Sequence, residues 1–188
     1  MNNVLVIVIA CLLLFVCLSY GYANKSKKSS LKDPELVSVA IPEEKFSVME
    51  GMYEGKPSIV VVNSSLRGFK NKDVFSWTCS LSIEFKDLAN NGMPTSEESD
   101  FVYNWFNQLD SAIKGDSEHP NALFLARETY DGFLNVYWQV YDPEPVHQYL
   151  QSIIQGKKYP REMEYKIEQD VQWKNVEWLL RDFSKEKK

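Results

Sequence analysis

Side chains that could bind a metal ion or attack a substrate are few in this 188-residue chain, and they are scattered. Zinc sites need clustered histidine, cysteine and carboxylate ligands, whereas His119, His147 and Cys79 follow no such spacing. Cys79 falls on the apolar positions of a predicted strand, which favours a core residue over a nucleophile. We interpret both histidines as surface residues, and we expect no metal ion and no cofactor.

Acidic side chains offer a second route to catalysis, through general acid–base chemistry. Glu97 and Glu98 are neighbours, but they follow Thr95 at the start of a predicted helix. Acids are favoured there by the helix dipole and by a capping box, in which Glu98 reaches back to the cap. Asp170 is interpreted as the N-cap of a last helix, whose Trp173 covers the core. A carboxylate-based hydrolase using acids near Glu97 or Asp170 stays open as an alternative.

A row of hydroxyl groups is the least ordinary chemical feature of the chain. Residues 75–85 alternate strictly between apolar and mostly small polar side chains, so one face of this predicted strand is apolar and the other is wet. A second predicted strand, 133–141, carries amide and tyrosine side chains at alternate positions, and tyrosine is enriched in contact surfaces. If the two strands lie close together, they form one polar binding surface. Its candidate residues are Ser76, Thr78, Ser80, Ser82, Asn135, Tyr137, Gln139 and Tyr141.

Turn signals and hydrophobic periods divide residues 41–188 into strands and helices. Glu54-Gly55 predicts a hairpin between strands near 46–53 and 59–62, and Asp131-Gly132 predicts another between 122–129 and 133–141. Amphipathic helices are predicted from Thr95 to Lys114 and from Pro143 to Gly156. A strand at 163–168 then precedes the last helix. The apolar stripe of that helix is Val176, Leu179, Leu180 and Phe183.

The order from residue 75 onward is β-α-β-β-α-β, which predicts a ferredoxin-like split βαβ sandwich. In this α+β fold an antiparallel sheet carries both crossover helices on one face, which matches the single apolar face of strand 75–85. The N-terminal hairpin and the C-terminal helix are additions to this unit. The prediction leaves the second face of the sheet free of helices and open to a ligand or a second subunit.

An unbroken apolar run at residues 4–18 begins the chain. With the uncharged residues up to Ala23 it is long enough for a helix to span a bilayer, so residues 1–23 are predicted to be a membrane segment. A cleaved signal would have a basic start, but Met1-Asn2-Asn3 has no basic side chain. Four lysines directly after the run favour a single-pass anchor with the domain in the cytoplasm. Export after cleavage near Ala23 stays open.

Residues 24–40 form a polar linker, and residues 41–188 have the size of one domain. That domain carries 17 basic and 24 acidic side chains, a formal charge of −7. We expect no nucleic-acid partner, because nucleic-acid binding is driven by lysine and arginine. Cys79 is the only cysteine outside the apolar run, so the domain cannot form an internal disulfide, which favours a reducing compartment.

Four fragments occur in an order that resembles the uncharacterised bacterial family known as domain of unknown function 695. They are GKPSIVVVN at 55–63, NGMP at 91–94, TYDG at 129–132 followed by YW at 137–138, and DVQW at 170–173. The resemblance implies an α+β domain without an assigned activity. Members found beside a domain that resembles ribonuclease E inhibitors suggest protein binding. We therefore expect a membrane-anchored, non-catalytic module that contacts a protein partner or its own copy through the helix-free sheet face.

Overall fold

The computed structural model describes residues 39–181, in which strands dominate. The prediction of an α+β fold is confirmed: one antiparallel sheet of six strands is accompanied by two α-helices. The strands are β1 Phe46–Tyr53, β2 Lys56–Asn63, β3 Trp77–Glu84, β4 Ala122–Tyr130, β5 Phe133–Val140 and β6 Met163–Gln169. The helices are α1 Ser96–Lys114 and α2 Pro143–Gln155, with short 3₁₀ helices at Ser64–Leu66 and Lys174–Leu180.

The strands lie in the order β1-β2-β4-β5-β3-β6, and every neighbouring pair is antiparallel. Both predicted hairpins are present. Glu54 and Gly55 have positive φ angles of 50° and 78°, and Asp131 and Gly132 have 45° and 83°, as tight two-residue turns require. The first hairpin does not stand apart, because β2 pairs with β4 and so extends the sheet by two strands.

Both α-helices pack on the same face of the sheet. The apolar alternation of β3 buries Cys79, Leu81 and Ile83 beneath them. Val102 and Phe106 of α1 reach the same cluster, as do Val146, Leu150 and Ile153 of α2. The predicted pairing of the helix stripes with the apolar face of β3 is therefore confirmed.

Helix α1 begins and ends where the sequence predicts. Thr95 is its N-cap, because the Oγ1 atom accepts the Glu98 N–H at 3.2 Å, and Gly115 ends it with a φ of 73°. Only one of the two hydrogen bonds of the predicted capping box is present. The Glu98 carboxylate accepts the Lys86 N–H at 2.9 Å and pairs with Arg161 instead of returning to the cap.

The second face of the sheet differs from the prediction, because the C-terminal segment covers part of it. Trp173 is fully buried and stacks on Phe69 at 5.5 Å between ring centroids, and Val176 and Leu179 join the same cluster. The predicted last helix is a 3₁₀ helix, Lys174–Leu180. This cluster also contains residues of β2 and β4. The helix-free face therefore has a covered half and an open half.

Several expectations fall on parts of the chain that the structure does not describe. These are the membrane segment 1–23, most of the linker 24–40, and Phe183. Across residues 39–181, no helix is long and apolar enough to cross a membrane.

Candidate functional site

The open half of the second sheet face contains a groove of about 440 Å³. It forms because β5, β3 and β6 are neighbours and their polar registers coincide. Ser80 lies between Tyr137 on one side and Lys166 on the other, and Ser82 lies in the same way between Asn135 and Glu164. The structure therefore brings together half of the predicted binding residues. The side chains that line the groove include Ser80, Ser82, Asn135, Tyr137, Glu164 and Lys166.

The polar groups of the groove are organised but remain accessible. The Ser82 hydroxyl donates to Asn135 Oδ1 at 2.9 Å. Lys166 Nζ lies 2.8 Å from a carboxylate oxygen of Glu168, and these two side chains are 67% and 47% exposed. Such exposed pairs are weak, so the lysine can exchange its partner readily. The groove thus offers hydroxyl and amide groups at its floor and a charge of each sign on the edge strand β6.

An aromatic pair borders the groove. The Tyr137 ring meets the Trp178 ring edge to face, with centroids 6.4 Å apart, and Trp178 is 40% exposed. Burial and, to a smaller extent, the nearby Glu128 raise the pKa of Tyr137, so its hydroxyl stays protonated at neutral pH. Trp178 is not among the binding residues predicted from the sequence. A signal was present, since this tryptophan falls outside the apolar stripe of the last helix and therefore cannot be explained as core.

The other four predicted binding residues do not line the groove. Gln139 is fully buried and Thr78 nearly so. The Gln139 side-chain amide donates to Thr78 Oγ1 at 3.0 Å. Thr78 Oγ1 also lies 3.4 Å from Asp170 Oδ2. Ser76 lies in the loop before β3, where its carbonyl accepts the Asp170 N–H at 2.7 Å. Tyr141 follows β5 and its ring meets Phe75 at 6.5 Å.

The buried polar residues are explained by Asp170, which binds the first N–H groups of the C-terminal 3₁₀ helix although the N-cap position itself is Trp173 and not Asp170 as predicted. One carboxylate oxygen accepts the Lys174 N–H and the other accepts the Asn175 N–H, both at 2.8 Å. This fixes the start of the C-terminal 3₁₀ helix above β3. Thr78 and Gln139 satisfy one another beneath it. They therefore support the cover and are closed to a partner.

An ion pair that was not predicted from the sequence lies on the helix-bearing side of the molecule. The Glu98 side chain is only 2% exposed, and both its oxygens accept hydrogen bonds from Arg161, at 2.7 and 2.6 Å. The Arg161 guanidinium also lies 4.5 Å above the Phe101 ring. Hydrogen bonds from Arg161 and from the Lys86 N–H hold the pKa of Glu98 below its usual range, against the opposing effect of burial. The pair ties α1 to the segment that leads into β6.

This ion pair predicts a pH-dependent stability. A carboxyl group with a lowered pKa in the folded state stabilises the fold above its unfolded pKa of about 4.3 and loses that contribution as pH falls through the folded value. We expect Glu98→Gln to reduce the free energy of unfolding by about 2 kcal/mol at pH 7 and by much less at pH 3, as measured by urea denaturation. Glu97→Gln is the matched control because Glu97 is exposed. An equal loss at both pH values would contradict a role for the charge.

Glu98, Cys79 and His147 are the candidate catalytic groups whose environments the structure defines most clearly. Glu98 has a lowered pKa, whereas a general acid at neutral pH requires a raised one. Burial raises the pKa of Cys79 to about 12, so its thiolate does not form near neutral pH. His147 lies on the surface of α2, with Nδ1 2.9 Å from the Tyr165 hydroxyl. Among the described residues, no group of three histidine, cysteine or acidic side chains is placed to hold a metal ion.

Comparison with known proteins places the domain in a family but not in a functional class. No curated protein and no solved structure matches the chain. A family model does match, and it covers residues 44–180. That span includes all six strands, both α-helices and the C-terminal 3₁₀ helix. The resemblance carried by the four sequence fragments is thereby confirmed, and the chain belongs to the family of unknown function DUF695.

Proposed function

We propose that this protein is a non-catalytic binding module that contacts a protein partner through the groove on the open half of its sheet. The observation that carries the proposal is the combination of an exposed polar floor with the Tyr137–Trp178 pair at its border. Tyrosine and tryptophan dominate the binding energy of many protein interfaces, because they bury a large area and also form hydrogen bonds.

The composition of the groove favours a polypeptide over a small molecule. Small-molecule sites are mostly apolar and enclosed, whereas this groove presents hydroxyl, amide, carboxylate and ammonium groups on a sheet surface. At the rim of an interface, Glu164 can pair with a positive charge of the partner and Lys166 with a negative one. The formal charge of −7 on residues 41–188 argues against nucleic acid. The partner that fits best is a peptide or loop that carries charges of both signs and a side chain that can pack against Tyr137 and Trp178.

The strand order also supports a finer description of the fold. The strands β4-β5-β3-β6 are consecutive in the sheet, α1 joins β3 to β4, and α2 joins β5 to β6. This is the connectivity of a ferredoxin-like split βαβ unit. We infer that residues 77–169 form such a unit and that the β1–β2 hairpin extends it. The two helices then occupy one face, which leaves the other for the cover and the groove.

The location that we propose is the cell membrane, with a single span within residues 4–23 and the domain in the cytoplasm. It rests on the apolar run, on the lysines that follow it and on the single cysteine of the domain. A mature chain that begins at Asn24 would instead support the alternative of an exported envelope protein.

The binding proposal predicts that changes in the groove remove a partner without unfolding the domain. Ser80→Glu would bring a charge into the interface that association must desolvate, while Lys166 beside it keeps the variant folded. Trp178→Ala would remove the aromatic border. Both variants are expected to lose the partner that the wild type recovers from a detergent extract of cells, with thermal midpoints that change by less than about 4 °C.

Ser117→Glu is the matched control, because this serine lies on an exposed loop away from the groove. It adds the same charge and should retain the partner. The readout is the set of co-purified proteins, quantified by mass spectrometry. Equal recovery of the partner with the wild type and with all three variants would exclude the groove as the contact surface.

A further inference from the structure

Within residues 39–181, the outer strand β1 pairs on one side only, and the orientation of its other edge follows from its hairpin. Tyr53 and Lys56 flank a two-residue turn, so they form a hydrogen-bonded pair, and such pairs recur at every second residue. The Ser64 N–H donates to the Lys45 carbonyl at 2.7 Å, which fits the same alternation. The odd-numbered residues of β1 therefore bond to β2. The backbone N–H and C=O groups that point outward belong to Phe46, Val48, Glu50 and Met52.

The same four residues carry an exposed and mostly apolar row of side chains. Phe46, Val48 and Met52 are 54%, 61% and 70% exposed. They lie on the helix-bearing face, but the cluster beneath α1 and α2 draws on β3, β4, β5 and β6 and not on β1 or β2. The Phe46 ring meets the Phe124 ring edge to face, with centroids 6.0 Å apart, but it stays half-exposed. Among the described residues, β1 thus combines backbone groups that pair with no strand and apolar side chains that are mostly uncovered.

The two edges of the sheet differ in how they resist pairing. Natural edge strands avoid association through lysine, proline or closely spaced charges. Strand β6 has such protection, since Glu164, Lys166 and Glu168 alternate along it. Strand β1 reads FSVMEGMY and contains one charged residue, Glu50. An unguarded edge of eight residues is typical of a strand that pairs with another strand.

We propose that β1 pairs antiparallel with β1 of a second copy of this chain, which would join two sheets into one of twelve strands. The two-fold axis passes through Met49, so that paired residue numbers sum to 98. Phe46 then faces the partner's Met52, an aromatic–thioether contact, and Val48 faces the partner's Glu50. All four outward residues of each copy are paired, which gives about eight backbone hydrogen bonds.

The charge pattern of β1 selects the second copy and this register. A shift of the axis to Glu50 would place the two Glu50 carboxylates opposite each other, which is unfavourable. A shift to Val48 would place Phe46 opposite the partner's Glu50 and Met52 opposite the partner's Glu44, so that both apolar ends would face acids. The remaining register pairs the apolar ends with each other and places the two Glu50 side chains diagonally instead of directly opposite. Such self-complementarity is what a two-fold interface requires.

The exposed area indicates the strength of this dimer. Three large side chains at these exposures bury on the order of 300 Å² per copy, or about 600 Å² in total, so the interface stays below the roughly 1,200 Å² of stable specific complexes and is a weak one. We expect a dissociation constant in the micromolar range. Tethering of both copies to one membrane would raise their effective concentration.

Two substitutions that introduce opposite charges at position 48 test the register. Val48→Glu places a carboxylate opposite the partner's Glu50 twice per dimer and should weaken dimerisation at least tenfold. Val48→Lys places an ammonium opposite the same acid and should keep or strengthen the dimer. Val48 is exposed, so both variants should fold, and circular dichroism checks this. The dimer fraction of the full chain in detergent is measured by sedimentation equilibrium across a range of concentrations.

The comparison of the two variants separates this interface from any association through the membrane segment, which is identical in both. Equal dimer fractions for Val48→Glu and Val48→Lys would overturn the proposal. A wild-type chain that stays monomeric at about 100 μM would overturn it as well. This holds even if β1 then proves to pair with a strand of a different protein. Ser80→Glu should leave the dimer fraction unchanged, because the groove lies toward the other edge of the sheet.

Discussion

Replacement of Trp173 by alanine is expected to reduce the free energy of unfolding by about 3 to 5 kcal/mol. The side chain is fully buried, stacks on Phe69, and donates its indole N–H to the Phe75 carbonyl at 2.8 Å. Its loss opens a cavity between the sheet and the C-terminal 3₁₀ helix. It also leaves a buried carbonyl without its donor. Urea denaturation followed by circular dichroism measures the change.

Trp173→Phe separates the two contributions. Phenylalanine keeps most of the stacking but loses the N–H, so we expect a loss of about 1 to 2 kcal/mol. A loss below about 1 kcal/mol for Trp173→Ala would mean that the C-terminal segment does not hold its place on the sheet. The covered half of the face would then be accessible, and Thr78 and Gln139 would return as candidate binding residues.

The alternation along β3 predicts a second large difference between neighbouring residues. Leu81 is 1% exposed in the cluster beneath the helices, and Leu81→Ala should cost about 2 to 5 kcal/mol through cavity formation. Ser80 is half-buried on the groove side, and Ser80→Ala should change stability by less than about 0.5 kcal/mol. Chemical denaturation of both variants tests the assignment of faces, and equal losses would show that it is wrong.

Local signals in the sequence were sufficient for most of the fold. Asp131-Gly132 and Glu54-Gly55 mark turns because few residues adopt positive φ at low cost. The strict alternation of β3 identifies its buried face, because side chains on a strand point to opposite faces in turn. The Thr95 cap and Gly115 fix the ends of α1. Each of these signals depends on residues that are close in the sequence.

The cover of the sheet and the Glu98–Arg161 pair depend on residues that are distant in the sequence. Asp170 reaches Thr78 across 92 positions, and Arg161 reaches Glu98 across 63. From the local sequence alone, a glutamate three residues after a helix cap can be either a capping-box residue or the buried partner of an ion pair. The difference arises from the segment that leads into β6, whose position only the assembled sheet determines.

The candidate site shows the same division. The hydroxyl pattern of β3 was enough to identify Ser80 and Ser82 as one face, and the pairing of β3 with β5 placed Asn135 and Tyr137 beside them. Thr78 and Gln139 have the same pattern and belong to the same face, yet they are buried. What distinguishes them is the C-terminal 3₁₀ helix above them, which no property of β3 or β5 encodes.

Site-specific photo-crosslinking in cells tests the binding proposal most directly. The photoreactive residue p-benzoylphenylalanine replaces Lys166, whose side chain is exposed at the groove. In a separate strain it replaces Lys158, which is exposed in the turn after α2. We predict a light-dependent adduct of the full chain with another protein at position 166 and none at position 158. The absence of an adduct at 166, or the same adducts at both positions, would contradict the groove as the partner surface.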